Sequence, residues 1–252
     1  MNIKTGKRLS ILLLALSLGA CQQRVWQPEA KLAQTDIPVN DALPVNPLAE
    51  ATIAPYRTQV TSKMSEVVGT APTELNKADY ESPLGNFVVD LQLAQGEPLY
   101  GQPIDLSLTT NGGLRQPLPA GEITVGNLFE LMPFENELVV LTLPGETVQQ
   151  LFDYAAEWKN APIGNATYTA SGGKAADIRI KGKPFDDGRT YTLVTSDYLA
   201  GGGDNLTMLK NAVQYQKLGL LLRDAIRLRI QDFTAKGLPI TADSKPRVTV
   251  IP

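Results

Sequence analysis

A tyrosine, three glycines and an aspartate share one short stretch, TSDYLAGGGDN (Thr195–Asn205), at the end of a run rich in β-formers. Three kinds of chemistry use glycine runs of this sort: phosphate cradling, metal binding and plain chain reversal. A P-loop needs GxxxxGK[ST], so that a lysine reaches the phosphates; here Leu206 and Thr207 follow the run. A dinucleotide fingerprint needs a third glycine at the opening of a helix, and Leu206 fills that position. A calcium loop needs acids two apart ahead of its glycine, and neither Asp204 nor the DDG at Asp186–Gly188 supplies that spacing. What remains is backbone geometry: glycine reaches positive φ and lets another group approach the chain closely. On the residues alone, Gly201, Gly202 and Gly203 mark a tight turn.

The residue types that are missing say more. The chain has no histidine and a single cysteine, Cys21. It therefore has no Ser-His-Asp or Cys-His arrangement for nucleophilic catalysis. It also lacks the histidines of the usual zinc and binuclear phosphoesterase centres. A carboxylate pair of the glycosidase kind stays open among 26 acids, but no pair stands out. By its own residues, this chain reads as a binding module.

The N-terminus accounts for the cysteine. MNIKTGKRLSILLLALSLGAC has Lys4, Lys7 and Arg8, then an apolar run, then small residues before Cys21, which is a signal-peptide layout. The run is shorter than the roughly 20 residues that cross a bilayer. LGAC (Leu18–Cys21) resembles the bacterial lipobox. That resemblance implies a removed segment 1–20, a lipidated Cys21 as mature N-terminus, and an extracytoplasmic protein held at a membrane by its acyl chains. Gln22 follows the cysteine in place of the aspartate associated with inner-membrane retention, so the expectation is periplasm and outer membrane. Cleavage would leave 20 basic residues against 26 acidic ones, a balance that argues against a nucleic-acid surface.

Residues 21–48 carry four prolines without a sustained period and read as an extended tether. From Ala49 the signals alternate. Ile53, Tyr56, Val60, Met64 and Val67 recur at helical spacing, with Gly69 as candidate C-cap. Ser82 and Pro83 open a second helix, expected to end at Gly96. IDLSL reads as a strand running into the turn TTNGGLR, Thr124 caps a short helix, and ELVVLTL reads as a strand buried on both faces. PGETVQQLFDYAAEW starts a further helix; strands follow around 167–170 and at ADIRIKG, and TYTLVTS feeds the glycine loop. KLGLLLRDAIRLRIQDF reads as the last long helix and RVTVI as the last strand. The expected fold is one mixed α/β (α+β) domain, residues 49–252, with mixed sheets and flanking helices.

Four segments in order then resemble one family. They are ESPLGNFVVD (Glu81–Asp90), NGGLRQPLPAGEITVGNLFELMPFENELVVLTLPGETV (Asn111–Val148), DIRIKGKPFDDGRTYTLVTSDYL and AGGGDN. Together they look like the C-terminal, substrate-binding domain of bacterial and animal 5′-nucleotidases, the periplasmic UDP-sugar hydrolase type, over roughly Thr58 to Ile251. The resemblance implies that Phe134 and Tyr198 clamp a nucleobase, that Asn136 reads a base edge, that Asp204 accepts the ribose hydroxyls, and that Arg115 meets the phosphate end. In such enzymes divalent metals and a catalytic His-Asp pair sit in an N-terminal metallophosphoesterase domain, which has no counterpart in this sequence. The resemblance thus implies no catalytic residue, metal or cofactor here. It points to a nucleotide-binding subunit in extracytoplasmic nucleotide catabolism, with a separate metallophosphoesterase chain as partner; the alternative is a stand-alone nucleotide-binding lipoprotein. The family often has an arginine shortly before ES-x-LGN, where this chain offers only Lys77.

Overall fold

Residue-by-residue alternation in one strand organises this protein, in a computed structural model that describes residues 44–251. Strand β4 (Glu137–Pro144) sends Val139, Leu141 and Leu143 into one buried cluster and Leu138 and Val140 into another. Successive side chains of a strand point to opposite faces, so a strand with core on both sides must be apolar throughout. ELVVLTL fits that requirement. The neighbouring strand β9 (Thr190–Ser196) divides in the same way, with Leu193 in the first cluster and Val194 in the second. The two strands pair antiparallel from Leu138 opposite Ser196 to Pro144 opposite Thr190.

These strands are the middle of a five-stranded sheet in the order β10–β4–β9–β2–β5, where β2 is Leu106–Leu108, β5 Ile163–Gly164 and β10 Gln214–Leu221. Within this sheet, among the described residues, β2 and β9 pair parallel and the other neighbours antiparallel. On one face lies α4 (Gly145–Trp158), whose Val148, Leu151, Phe152 and Ala155 are wholly buried. Strands β6 (Ala166–Ser171) and β7 (Lys174–Ile180) close this first cluster with Tyr168, Ile178 and Ile180. They belong to a four-stranded sheet with β8 (Lys183–Pro184) and β11 (Val248–Ile251). The opposite face is covered by α2 (Pro83–Tyr100), α3 (Val125–Leu131) and α6 (Leu222–Ala235). A two-stranded sheet of β1 (Val67–Ala71) and β3 (Gly121–Thr124) adds Val68, Ala71 and Ile123 to the same cluster. Each fully buried leucine or phenylalanine in these layers contributes roughly 1.5–3 kcal/mol. The domain is mixed α/β.

Local signals explain several boundaries. Ser82 caps α2, accepting from Gly85 N at 3.0 Å, with Pro83 in the first turn. Thr124 and Asn127 exchange side-chain and backbone hydrogen bonds as a capping box at the start of α3. Three expectations are corrected. Helix α1 (Pro47–Met64) does not run on to Gly69, which lies in β1. A Cβ on Gly69 would lie 2.7 Å from Ile230 Cγ2, so the glycine is there to admit α6. The stripe Ile53, Tyr56 and Val60 is exposed, and no residue of α1 is buried. Helix α2 passes Gly96 and ends one turn later, where Gly101 caps it with a left-handed φ of 77°. The segment KLGLL (217–221) belongs to strand β10, paired with β4, and the helix begins only at Leu222. Residues 1–43, with the signal segment, Cys21 and most of the tether, lie outside the described residues. Among those described, no helix is long and apolar enough to cross a membrane.

Candidate functional site

The glycine loop leaves the sheet through a one-turn helix, α5 (Asp197–Ala200), capped by Ser196, which accepts from Leu199 N. Tyr198 projects from this turn and is about half exposed. Gly202 takes a left-handed φ of 89°, and a Cβ on Gly203 would fall 2.5 Å from Cε1 and Cζ of Tyr198. The ring lies against Gly203 because that residue has no side chain. Gly201 has an ordinary φ of −74° and serves as the helix C-cap. Of the three glycines, two therefore shape the loop and the first does not need to be glycine for its φ.

Asp204 is held from three elements. Tyr198 Oη donates to its Oδ1 at 2.9 Å. Thr110 Oγ1 donates to Oδ2 at 2.5 Å from the turn after β2. Tyr154 Oη, on α4, donates to its main-chain oxygen at 2.7 Å. Burial, with Asp204 and Tyr198 close by, holds the Tyr154 hydroxyl above its ordinary range, so it stays a donor. Gly112 leaves room for the carboxylate, since a Cβ there would lie 3.1 Å from Oδ2. Asp204 itself has a left-handed φ of 50°, a conformation that aspartate tolerates better than most residues. A carboxylate has about four acceptor positions, so two donors leave capacity for a ligand.

Arg115 sits on the turn TTNGGLR. Its Nη1 donates to Gly112 O at 3.2 Å, and its guanidinium carbon lies 5.9 Å from the centre of the Phe134 ring. Lys77 Nζ donates to Leu114 O at 2.7 Å and to Asn111 O at 3.3 Å. Its ammonium is thus spent on the carbonyls of the turn that carries Arg115. Phe134 and Asn136 come from the irregular segment 132–136 before β4. Asp197 Oδ1 accepts both from Glu137 N at 3.1 Å and from Tyr198 N at 2.8 Å, which ties that segment to α5.

The result is a cavity of about 210 Å³ lined by Gly112, Gly113, Arg115, Phe134, Asn136, Tyr198 and Asp204. All five side chains singled out in the sequence meet there, while Gly201, Gly202 and Gly203 do not line it. The lining offers two π faces, one fixed guanidinium fork, one carboxylate and one side-chain amide. Such a set suits a flat ring bearing hydroxyls at one end and an oxyanion at the other. Among the described residues, no group of three or more His, Cys, Asp or Glu side chains is arranged to hold a metal ion. A binuclear metal centre therefore does not fit these residues.

Thr110 and Tyr154 are absent from the sequence-based set. They lie 94 and 50 positions from Asp204 in sequence and are ordinary residue types with no local motif. Only the position of Thr110 beside the GG turn hints at a role.

This layered α/β domain has its cavity at the ends of β2, β4 and β9. The chain belongs to the family "5′-nucleotidase, C-terminal domain", whose sequence profile matches residues 60–211. It is 26% identical over 195 residues to protein UshA of Salmonella pullorum, covering 72% of this chain and 34% of that protein. Protein UshA of Escherichia coli K12 is 25% identical over 181 residues, covering 69% and 32%. The chain thus spans about a third of the length of these relatives. The 5′-nucleotidase precursor from Thermus thermophilus superimposes with a TM-score of 0.69 at 24% identity, over 81% of this chain and 43% of that one. That likeness is one of fold.

Proposed function

We propose that this chain is the nucleotide-binding subunit of a split 5′-nucleotidase-type hydrolase. The observation that carries the reading is the single cavity shared by Arg115, Phe134, Asn136, Tyr198 and Asp204. A purine or pyrimidine ring enters between Phe134 and Tyr198, and each aromatic stack is worth about 1–3 kcal/mol. Asn136 meets the edge of the base. The ribose hydroxyls donate to the free acceptor positions of Asp204, which Thr110 and Tyr198 already aim. The phosphate end lies toward Arg115, whose planar fork matches phosphate oxygens.

No bond is broken by these groups. Divalent metals and a catalytic His-Asp pair come from a separate metallophosphoesterase chain, since this chain contains no histidine. Lipidation at Cys21 and the tether 21–48 hold the domain to the outer membrane on its periplasmic side, where it serves nucleotide catabolism.

The test has two arms. Calorimetry with adenosine and AMP should show binding that Phe134→Ala and Tyr198→Ala both weaken; absence of binding overturns the site. Co-expression with metallophosphoesterases encoded beside this chain should give a complex with AMP-dependent phosphate release. Binding without a complex or phosphate release leaves a stand-alone nucleotide-binding lipoprotein in place of the split enzyme.

A further inference from the structure

Arg223 lies in the first turn of α6, beyond residue 211 where the family match ends. Its side chain is only 10% exposed, and the one carboxylate paired with it among the described residues, Glu135, stands 3.7 Å away and is itself 81% exposed. Burying a guanidinium against a solvated carboxylate is unfavourable for stability taken alone. The contacts show where the charge is used. Arg223 Nη1 donates to Met132 O at 3.1 Å and to Phe134 O at 3.3 Å. The guanidinium lies 4.1 Å from the centre of the Phe129 ring, which holds its plane. A third hold on the same segment comes from Leu222 N, which donates to Asn136 O at 2.8 Å. The first two residues of α6 therefore take three of the five carbonyls of segment 132–136, which belongs to no helix or strand. Phe134 stays half exposed on top of this support.

We infer that Arg223 is a positioning residue for the base clamp: through the carbonyls of Met132 and Phe134 it fixes where the Phe134 ring stands. This rests on the nucleoside reading above. Lysine cannot replace it, because an ammonium neither lies flat on Phe129 nor offers a rigid fork to the segment.

The experiment is a double-mutant cycle on the full-length chain, read by adenosine calorimetry, together with amide hydrogen exchange. Arg223→Lys should weaken adenosine binding on the order of tenfold, the effect of losing one charge-assisted hydrogen bond. In a Phe134→Ala background the same substitution should change affinity by less than about twofold, because the ring it positions is gone. Equal losses in the two backgrounds, or unchanged affinity in Arg223→Lys, overturn the inference. Hydrogen exchange separates its failure from that of the nucleoside reading. Without any ligand, Arg223→Lys should speed exchange of the Leu222 amide while β4 amides keep their protection. If the unsubstituted chain binds no adenosine, the nucleoside reading falls; if the Leu222 amide is unchanged, the Arg223 inference falls on its own account.

Discussion

The two walls of the cavity are built by different means. The Asp204 wall is held by side chains: three hydroxyl groups, from Thr110, Tyr154 and Tyr198, converge on one residue. The Phe134 wall is held by its backbone, through carbonyls taken up by Arg223 and Leu222. A carboxylate must be aimed atom by atom, because hydrogen bonds are directional. A ring only has to present a face, so fixing the main chain beneath it is enough. On the proposed function, the polar wall would discriminate and the aromatic wall would capture.

That contrast can be broken in order of expected effect. Gly203→Ala puts a methyl into the Tyr198 ring and so disturbs both an aromatic face and the hydroxyl that holds Asp204. It should cost about 1–3 kcal/mol of stability and abolish adenosine binding, as read by thermal melting and calorimetry. Phe134→Ala should cost about 1–3 kcal/mol of affinity for adenosine and for free adenine alike, since stacking ignores the sugar. Tyr154→Phe, which removes a buried donor from Asp204 O, should cost about 1 kcal/mol for adenosine and nothing for adenine. If adenine suffers equally, the division between the walls is wrong. Lys77→Met should lower AMP affinity by under about 1 kcal/mol and adenosine affinity by less, because it loosens the turn that carries Arg115 and, at its start, Thr110.

The smallest effect is a control outside the cavity lining. Tyr168 Oη is buried without a hydrogen-bond partner, and burial first, then Tyr80 and Glu81, pushes its pKa well above the ordinary tyrosine range. A raised folded-state pKa means that its share of stability is intact below about pH 10 and is lost as pH rises beyond it. Tyr168→Phe should therefore be neutral or slightly stabilising at pH 7 and should flatten the alkaline loss in thermal melts. Adenosine affinity should not move.

Much of the fold is legible because its signals are local. Ser82-Pro83, the Thr124 cap and the unbroken apolar run of β4 each announce an element through their own chemistry. KLGLL misleads because a short apolar run fits a strand or a helix equally until its partner is known, and here the partner is β4. The stripe of α1 predicts the helix but not its burial, since periodicity says which face is apolar and not what covers it. The site is legible only by resemblance: Arg115, Phe134, Asn136, Tyr198 and Asp204 carry no spacing that chemistry alone dictates. Thr110, Tyr154 and Arg223 act across long sequence distances, and a linear reading has no access to them.

Asp197 joins the two walls, its Oδ1 receiving the amide just past Asn136 and the amide of Tyr198. The strand that follows Asn136 and the turn that carries Tyr198 thus meet at one oxygen atom. On the proposed function, removing that one carboxylate would free both segments together and so loosen both faces of the clamp.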